Sequence, residues 1–164
     1  MSTRPKTKVM IAGIGGASLG TEIRKCLDLA GNYEVFGCDI SRTSFGLYES
    51  EFSKTWLLSH GDYEASVLDA CHKSGAQFLI PGGEQPMVLL SAVSGIFEAE
   101  GIQLLSNTGE MIKRHSDKEK TFAQLAECDI LIPQTVALDC QKDLEHVGLP
   151  CIVKPATGSG GSAS

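Results

Sequence analysis

From residue 8 to residue 105, short apolar runs take turns with amphipathic stretches. The run KVMIA, residues 8–12, is too short for a helix and stops at Gly13, so it reads as a buried strand. Residues 18–30 place Leu19, Ile23, Cys26, Leu27 and Ala30 at helical spacing, with Gly31 as the stop. YEVFGC, residues 33–38, is a second strand ending at Asp39. Residues 40–61 carry no clear period; the spacing there predicts only a short helix over 52–58. Asp62 reads as an N-cap, and Val67, Leu68 and Cys71 mark the inner face of a helix that stops at Gly75. QFLI, residues 77–80, is a third strand, running into Pro81-Gly82-Gly83-Glu84. One helix follows, with Leu89, Leu90, Val93, Ile96 and Phe97 inside and Gly101 at its end, and then a fourth strand, residues 102–105.

After Ser106 the rhythm changes. Residues 108–114 predict a short helix. Ser116 and Glu119 stand at the N-cap and N3 spacing of a capping box, opening a helix to about residue 126. A strand over 134–137, a brief helix over 143–147 and a final strand over 151–153 complete the pattern. Strands that alternate with helical stretches pair in parallel through crossover helices, so the fold class is α/β with a doubly wound parallel sheet. Such sheets bind ligands beyond the carboxyl ends of their strands, which here carry residues 13–17, Asp39 and residues 81–84.

Composition narrows the classes. Hydrophobic residues make up 42% and charged residues 21%, as in an ordinary globular chain. The net charge is −6 and no basic stripe exists, which excludes a nucleic-acid binder of the usual kind. No apolar run approaches the ~20 residues of a membrane span, and MSTRPKTK leads into a strand rather than a signal-peptide core; a cytoplasmic protein with no membrane partner is expected. The six cysteines form no C-x-x-C pair and the four histidines no H-x-x-x-H pair. Cys26 and Cys71 fall on apolar helix faces and Cys38 and Cys151 in strands, so they are expected as free thiols, with no metal site among them.

Two stretches bear on chemistry. The first is GIGGASLG, residues 13–20. Gly13 and Gly15 fit the dinucleotide fingerprint G-x-G-x-x-G, and Asp39, 26 residues after Gly13, stands near the place of a ribose-binding acid. Ser18, however, occupies the third glycine position, which serves close helix–strand packing. A P-loop fails because Thr21 stands where its lysine must be. Three readings stay open: an NAD or nucleotide-sugar site, a plain tight turn, and a helix N-terminus whose N–H groups hold an anionic acceptor substrate. The second stretch is Asp117-Lys118, a lysine placed in a first helical turn against the macrodipole, at a cost of a few tenths of a kcal/mol. Its bland alternative is a solvated surface lysine.

The S-D-K at 116–118, the I-L-I-P-Q-T at 130–135 and the L-P-C-I-V-K-P-A-T-G-S-G-G-S at 149–162 form a wider pattern. With them the chain resembles the ATP-grasp superfamily, closest to its carbamoyl-phosphate-synthase-like and carboxylate–amine ligase branches. The resemblance implies a Rossmann-like pre-ATP-grasp domain over residues 1–106 and the start of an ATP-grasp domain over 107–164. It implies Lys118 near the nucleotide phosphates and Lys154 at the adenine edge or α-phosphate. Gly158, Ser159, Gly160, Gly161 and Ser162 would form a flap over the β- and γ-phosphates, where glycine lets N–H groups approach phosphate oxygens. Gly15, Gly16, Gly83 and Glu84 sit where such proteins tend to place the acceptor. ATP and Mg²⁺ are the implied cofactors, a small carboxylate or bicarbonate the implied partner, and a homo-oligomer is expected by analogy. The implied metal ligands lie downstream of the glycine loop, beyond Ser164, so the chain by itself is expected to be inactive and residues 155–164 to be mobile or held by a neighbour. The remaining alternatives are an NAD- or nucleotide-sugar-binding domain and a non-catalytic α/β binding module.

Overall fold

The computed structural model describes residues 5–15 and 19–157. The chain divides into two compact units, Met1–Gly109 and Glu110–Ser164.

The first unit is a five-stranded, all-parallel sheet. Strands β1 (Thr7–Ala12), β2 (Tyr33–Asp39), β3 (Lys54–Leu57), β4 (Phe78–Pro81) and β5 (Gln103–Leu104) lie in the order β3-β2-β1-β4-β5. Period-two alternation sends their side chains to two cores. Met10, Ala12, Phe36 and Cys38 pack on one face with Val67, Ala70 and Cys71 of α2 (Tyr63–Ser74), Leu90 of α3 (Glu84–Ala92) and Phe97 of α4 (Ser94–Ala99). Ile11 and Val35 face the other way, with Ile14 and Phe52, and Ile23 and Leu27 of α1 (Leu19–Ala30) close over them. Helices therefore cover both faces, and the doubly wound architecture expected from the pattern is present.

Several local expectations differ. Residues 52–58 form no helix: β3 edges the sheet there, preceded by a 3₁₀ turn, Phe45–Tyr48. Only four residues long and with half its side chains exposed, β3 lacks the continuous apolar run of an inner strand. The inner face of α1 is Gly20, Thr21 and Arg24 with Ile23 and Leu27, while Leu19, Cys26 and Ala30 face outward. Buried Arg24 sits there because its charge meets Asp28 and Glu49 while its guanidinium lies over the Phe52 ring. The single helix expected after residue 84 is broken at Val93 into α3 and α4, which turns Ile96 outward. Asp62 occupies the N-cap position of α2 without a side-chain cap bond, and Gly75 ends the helix in the left-handed conformation at φ 68°.

In the second unit, α5 (Gly109–His115), α6 (Lys118–Glu127) and α7 (Gln141–Val147) form. The N-cap of α6 is Asp117, one residue later than the capping box predicts, and its Oδ1 accepts from the N–H groups of Glu119 (3.0 Å) and Lys120 (3.2 Å). A carboxylate placed there wins over the Ser116 hydroxyl because it also complements the helix dipole. α7 has a true capping box: Asp143 accepts from the Cys140 N–H, and the Cys140 side chain meets the Asp143 N–H. Those backbone bonds, Cys140 first and then Asp139, hold the Asp143 carboxyl below the usual carboxylate range. Neither expected strand of this unit forms: residues 134–137 and 151–153 are irregular, with Val136, Ile152 and Val153 exposed. A strand without a neighbour has no ladder to join; among the described residues the only pairing here is an isolated antiparallel bridge, Asp117 to Thr157.

Candidate functional site

The carboxyl end of the first unit's sheet is built from glycine. Sequence order reverses between β1 and β4, and the loops after these two strands meet there. Gly13 turns the chain at φ 95°, and its carbonyl oxygen packs against the α-carbons of Gly20 and Gly82 so closely that a Cβ would stand 2.1 Å and 2.0 Å from it. The Gly20 N–H donates to the Gly82 carbonyl at 3.0 Å, which locks the start of α1 to the loop after β4. The close-packing role sought at position 18 of the glycine motif is performed by Gly20. Ser18 itself lies outside the described residues.

Asp39, at the end of β2 and 8% exposed, ties two loops together. Its Oδ2 accepts from the Ile14 N–H at 2.8 Å and its Oδ1 from the Ser41 N–H at 2.9 Å, while Gly46 N–H donates to the Ile14 carbonyl at 2.9 Å. A Cβ on Gly15 would meet Ser44 Oγ at 3.3 Å and Asp39 Oδ2 at 3.7 Å. One carboxylate oxygen holds the glycine loop and the other caps the turn after β2, so both are engaged, which weakens the ribose-binding role that the dinucleotide reading needs. The signal was present in D-I-S, an aspartate whose side chain caps the N–H two residues on.

Of the residues expected around an acceptor, Gly15 follows β1, Gly83 caps α3 with extended backbone, and half-buried Glu84 opens that helix. The β1–β4 pairing and the Gly20–Gly82 bond bring their loops to one end of the sheet. Gly16 lies outside the described residues.

The second unit joins the two lysine motifs. The backbone N–H of Lys118 donates to the carbonyl of Ala156 at 2.8 Å, and Asp117 bridges Thr157. Residues 36 positions apart in sequence, Lys118 and Lys154, are therefore carried by backbone segments that touch. Lys118 is half-buried at the first position of α6; Lys154 is exposed and, against expectation, not on a strand. With Lys118 bonded to Ala156 and the next two N–H groups taken by Asp117, the first turn of α6 has its donors satisfied within the protein. Among the described residues, then, the N-terminal end of α6 presents no spare N–H group to an anion. The glycine-loop residues Gly158, Ser159, Gly160, Gly161 and Ser162 lie outside the described residues. Among the described residues no three His, Cys, Asp or Glu side chains converge as a metal site, so none is assigned to Mg²⁺. All six cysteines are free; Cys151 is half-buried but not in a strand. No helix among the described residues is long and apolar enough to cross a membrane.

No family model matches the chain. The carbamoyl phosphate synthase large chain of Methanosarcina acetivorans is 33% identical over 87 residues, covering 49% of this chain and 8% of that one. The biotin carboxylase domain dimer of Hydrogenobacter thermophilus 2-oxoglutarate carboxylase, solved with MgADP, ADP and bicarbonate, matches at TM-score 0.64 and 14% identity, over 96% of this chain and 36% of that one. Staphylococcus aureus N5-carboxyaminoimidazole synthetase, complexed with ADP, matches at TM-score 0.60 and 18% identity, over 93% and 39%. The structural matches, at these identities, speak to the fold. Together the comparisons bear out the resemblance to the ATP-grasp superfamily and the α/β fold, and the chain spans well under half the length of each of these relatives.

Proposed function

We propose that this chain is the N-terminal part of an ATP-dependent ligase of the carboxylate-activating kind. In the proposed reaction a carboxylate or bicarbonate oxygen attacks the γ-phosphorus of ATP, the bond to the β-phosphate oxygen breaks, and ADP leaves. An amine then attacks the acyl carbon and phosphate departs. The observation that carries this reading is the Lys118 N–H to Ala156 carbonyl bond, which draws together the two lysine motifs that the superfamily uses on nucleotide.

In this reading residues 1–106 are the pre-ATP-grasp domain and residues 107–164 the beginning of the ATP-grasp domain. Lys118 meets the phosphates, Lys154 the adenine edge or α-phosphate, and residues 158–162 close over the β- and γ-phosphates. A lysine serves there as a point charge against polyphosphate. The acceptor sits at the sheet end near Gly15, Gly16, Gly83 and Glu84, where the locked glycine loops bring backbone close to a ligand. Mg²⁺ would supply charge neutralisation for the polyphosphate, and none of the described residues is assigned to hold it. A cytoplasmic setting and a homo-oligomer belong to the same reading; the Hydrogenobacter relative is a dimer. This chain alone, a little over a third as long as the solved relatives, is proposed to bind nucleotide without turning it over.

Calorimetric titration tests this. ATP is expected to bind the chain, and Lys118→Ala or Lys154→Ala to weaken it about tenfold or more, the scale of a charge-assisted contact. Unchanged ATP affinity in both variants would sink the assignment. ADP release in the presence of bicarbonate or a carboxylate, with an acyl phosphate trapped as its hydroxamate, would contradict inactivity of the chain alone.

A further inference from the structure

An open concavity lies on the first unit, between the edge strand β3 and the 3₁₀ turn. It is shallow and open to solvent, holds about 340 Å³, and is lined by Arg42, Leu47, Tyr48, Thr55 and Leu57. The 3₁₀ turn and β3 build it. Tyr48 is 75% exposed on the turn, and Leu57, 48% exposed, ends the strand.

The polar groups of this cleft are of two kinds. Tyr48 Oη donates to the Arg42 carbonyl at 2.6 Å and Thr55 Oγ1 donates to the Leu47 carbonyl at 3.1 Å. With their protons engaged, both hydroxyls present only lone pairs to the cleft. Arg42 supplies the opposite character. Among the described residues the guanidiniums of Arg24 and Arg114 are ion-paired, to Asp28 and Glu49 and to Glu110, whereas that of Arg42 makes no ion pair. An unneutralised fork on a chain of net charge −6 stands out. The walls between these groups are leucine and tyrosine, the mostly apolar lining with a few fixed polar groups that ligand sites share.

We infer that this cleft binds a small planar heteroaromatic carboxylate. The carboxylate meets the Arg42 fork, which matches it in a bidentate way. The ring lies against Leu47, Leu57 and the Tyr48 face, and a ring N–H points to the acceptor oxygens of Thr55 and Tyr48. A single guanidinium suits a monoanion; a polyphosphate would call for more charge or a nest of backbone N–H groups. The site shares no residue with the lysine junction or the glycine loops, so it stands whether or not the nucleotide reading does.

The test is a ¹H–¹⁵N titration of the whole chain with indole-3-carboxylate, alongside the neutral indole-3-methanol. Saturable shifts at Arg42, Leu47, Tyr48, Thr55 and Leu57 are expected, with the alcohol at least tenfold weaker. Arg42→Gln, an exposed change that leaves the rest of the spectrum intact, is expected to weaken the carboxylate about tenfold, and Arg42→Lys to restore part of the loss. Shifts confined to other residues, shifts that never saturate, or equal affinity in Arg42→Gln would overturn the inference.

Discussion

A methyl group at Gly20 would stand 2.1 Å from the Gly13 carbonyl oxygen, a distance no packing adjustment of side chains relieves because both partners are backbone. Gly20→Ala is therefore expected to destabilise the chain by about 2–4 kcal/mol, the range of strained or overpacked sites. Urea unfolding would show it; a midpoint within error of the parent would mean that the loop is loose. The buried thiols give a second residue-scale expectation. Burial pushes the Cys71 thiol up to about 12, and burial together with the nearby Cys71 and Asp39 charges raises Cys38 well above the ordinary value. Unfolded thiols ionise near ~8.5, so the folded state binds more protons above that pH. Stability from these two groups is fully present below about 8.5 and is lost as pH rises toward 12. Native-state alkylation is expected to reach exposed Cys26, Cys128 and Cys140 and to spare Cys38 and Cys71 until unfolding. Rapid native labelling of Cys71 would contradict that.

Among elements, legibility followed burial. β1, β2 and β4 read plainly because each buries both faces of a parallel strand, and α2 because Val67, Cys71 and Gly75 mark its inner face and its stop. β3 was hidden by its exposure at the sheet edge. Cys26 and Ile96 look like core by spacing alone, but the helix register is set by what packs: α1 turns Gly20 inward to meet Gly13 and Gly82, and the break at Val93 rotates α4. The strands expected over 134–137 and 151–153 were read from short runs that carry no period-two alternation, and among the described residues they have no neighbour to pair with. For the candidate site, the glycine and lysine motifs were visible as strings, whereas the clamp made by Asp39 and the contact between residues 118 and 156 depend on long-range geometry. The cap of α6 tests this scale. Asp117→Ala removes an acceptor for two N–H groups and is expected to cost about 1 kcal/mol of helix stability. Amide exchange across α6 would then accelerate roughly fivefold, while Asp117→Asn changes it little. No acceleration in the alanine variant would assign the cap to Ser116 after all.

At the scale of the whole molecule, the two units divide the labour differently. Nearly all of the buried apolar residues, Ile112 apart, lie in the first unit, which is a finished sheet with two cores. The second unit buries no residue of α6 and leaves Leu131, Leu149 and Ile152 exposed, yet it contains the junction of the two lysine motifs. We propose that nucleotide binds in this weakly packed unit. The most direct measurement is a residue-resolved amide titration of the intact chain with ATP and, separately, with NAD⁺. Saturable ATP-induced shifts are expected at residues 117–121 and 154–157, with none of comparable size from NAD⁺. Shifts at Gly13, Ile14 and Asp39 on adding NAD⁺, with residues 117–121 and 154–157 silent toward ATP, would contradict this and restore the dinucleotide reading.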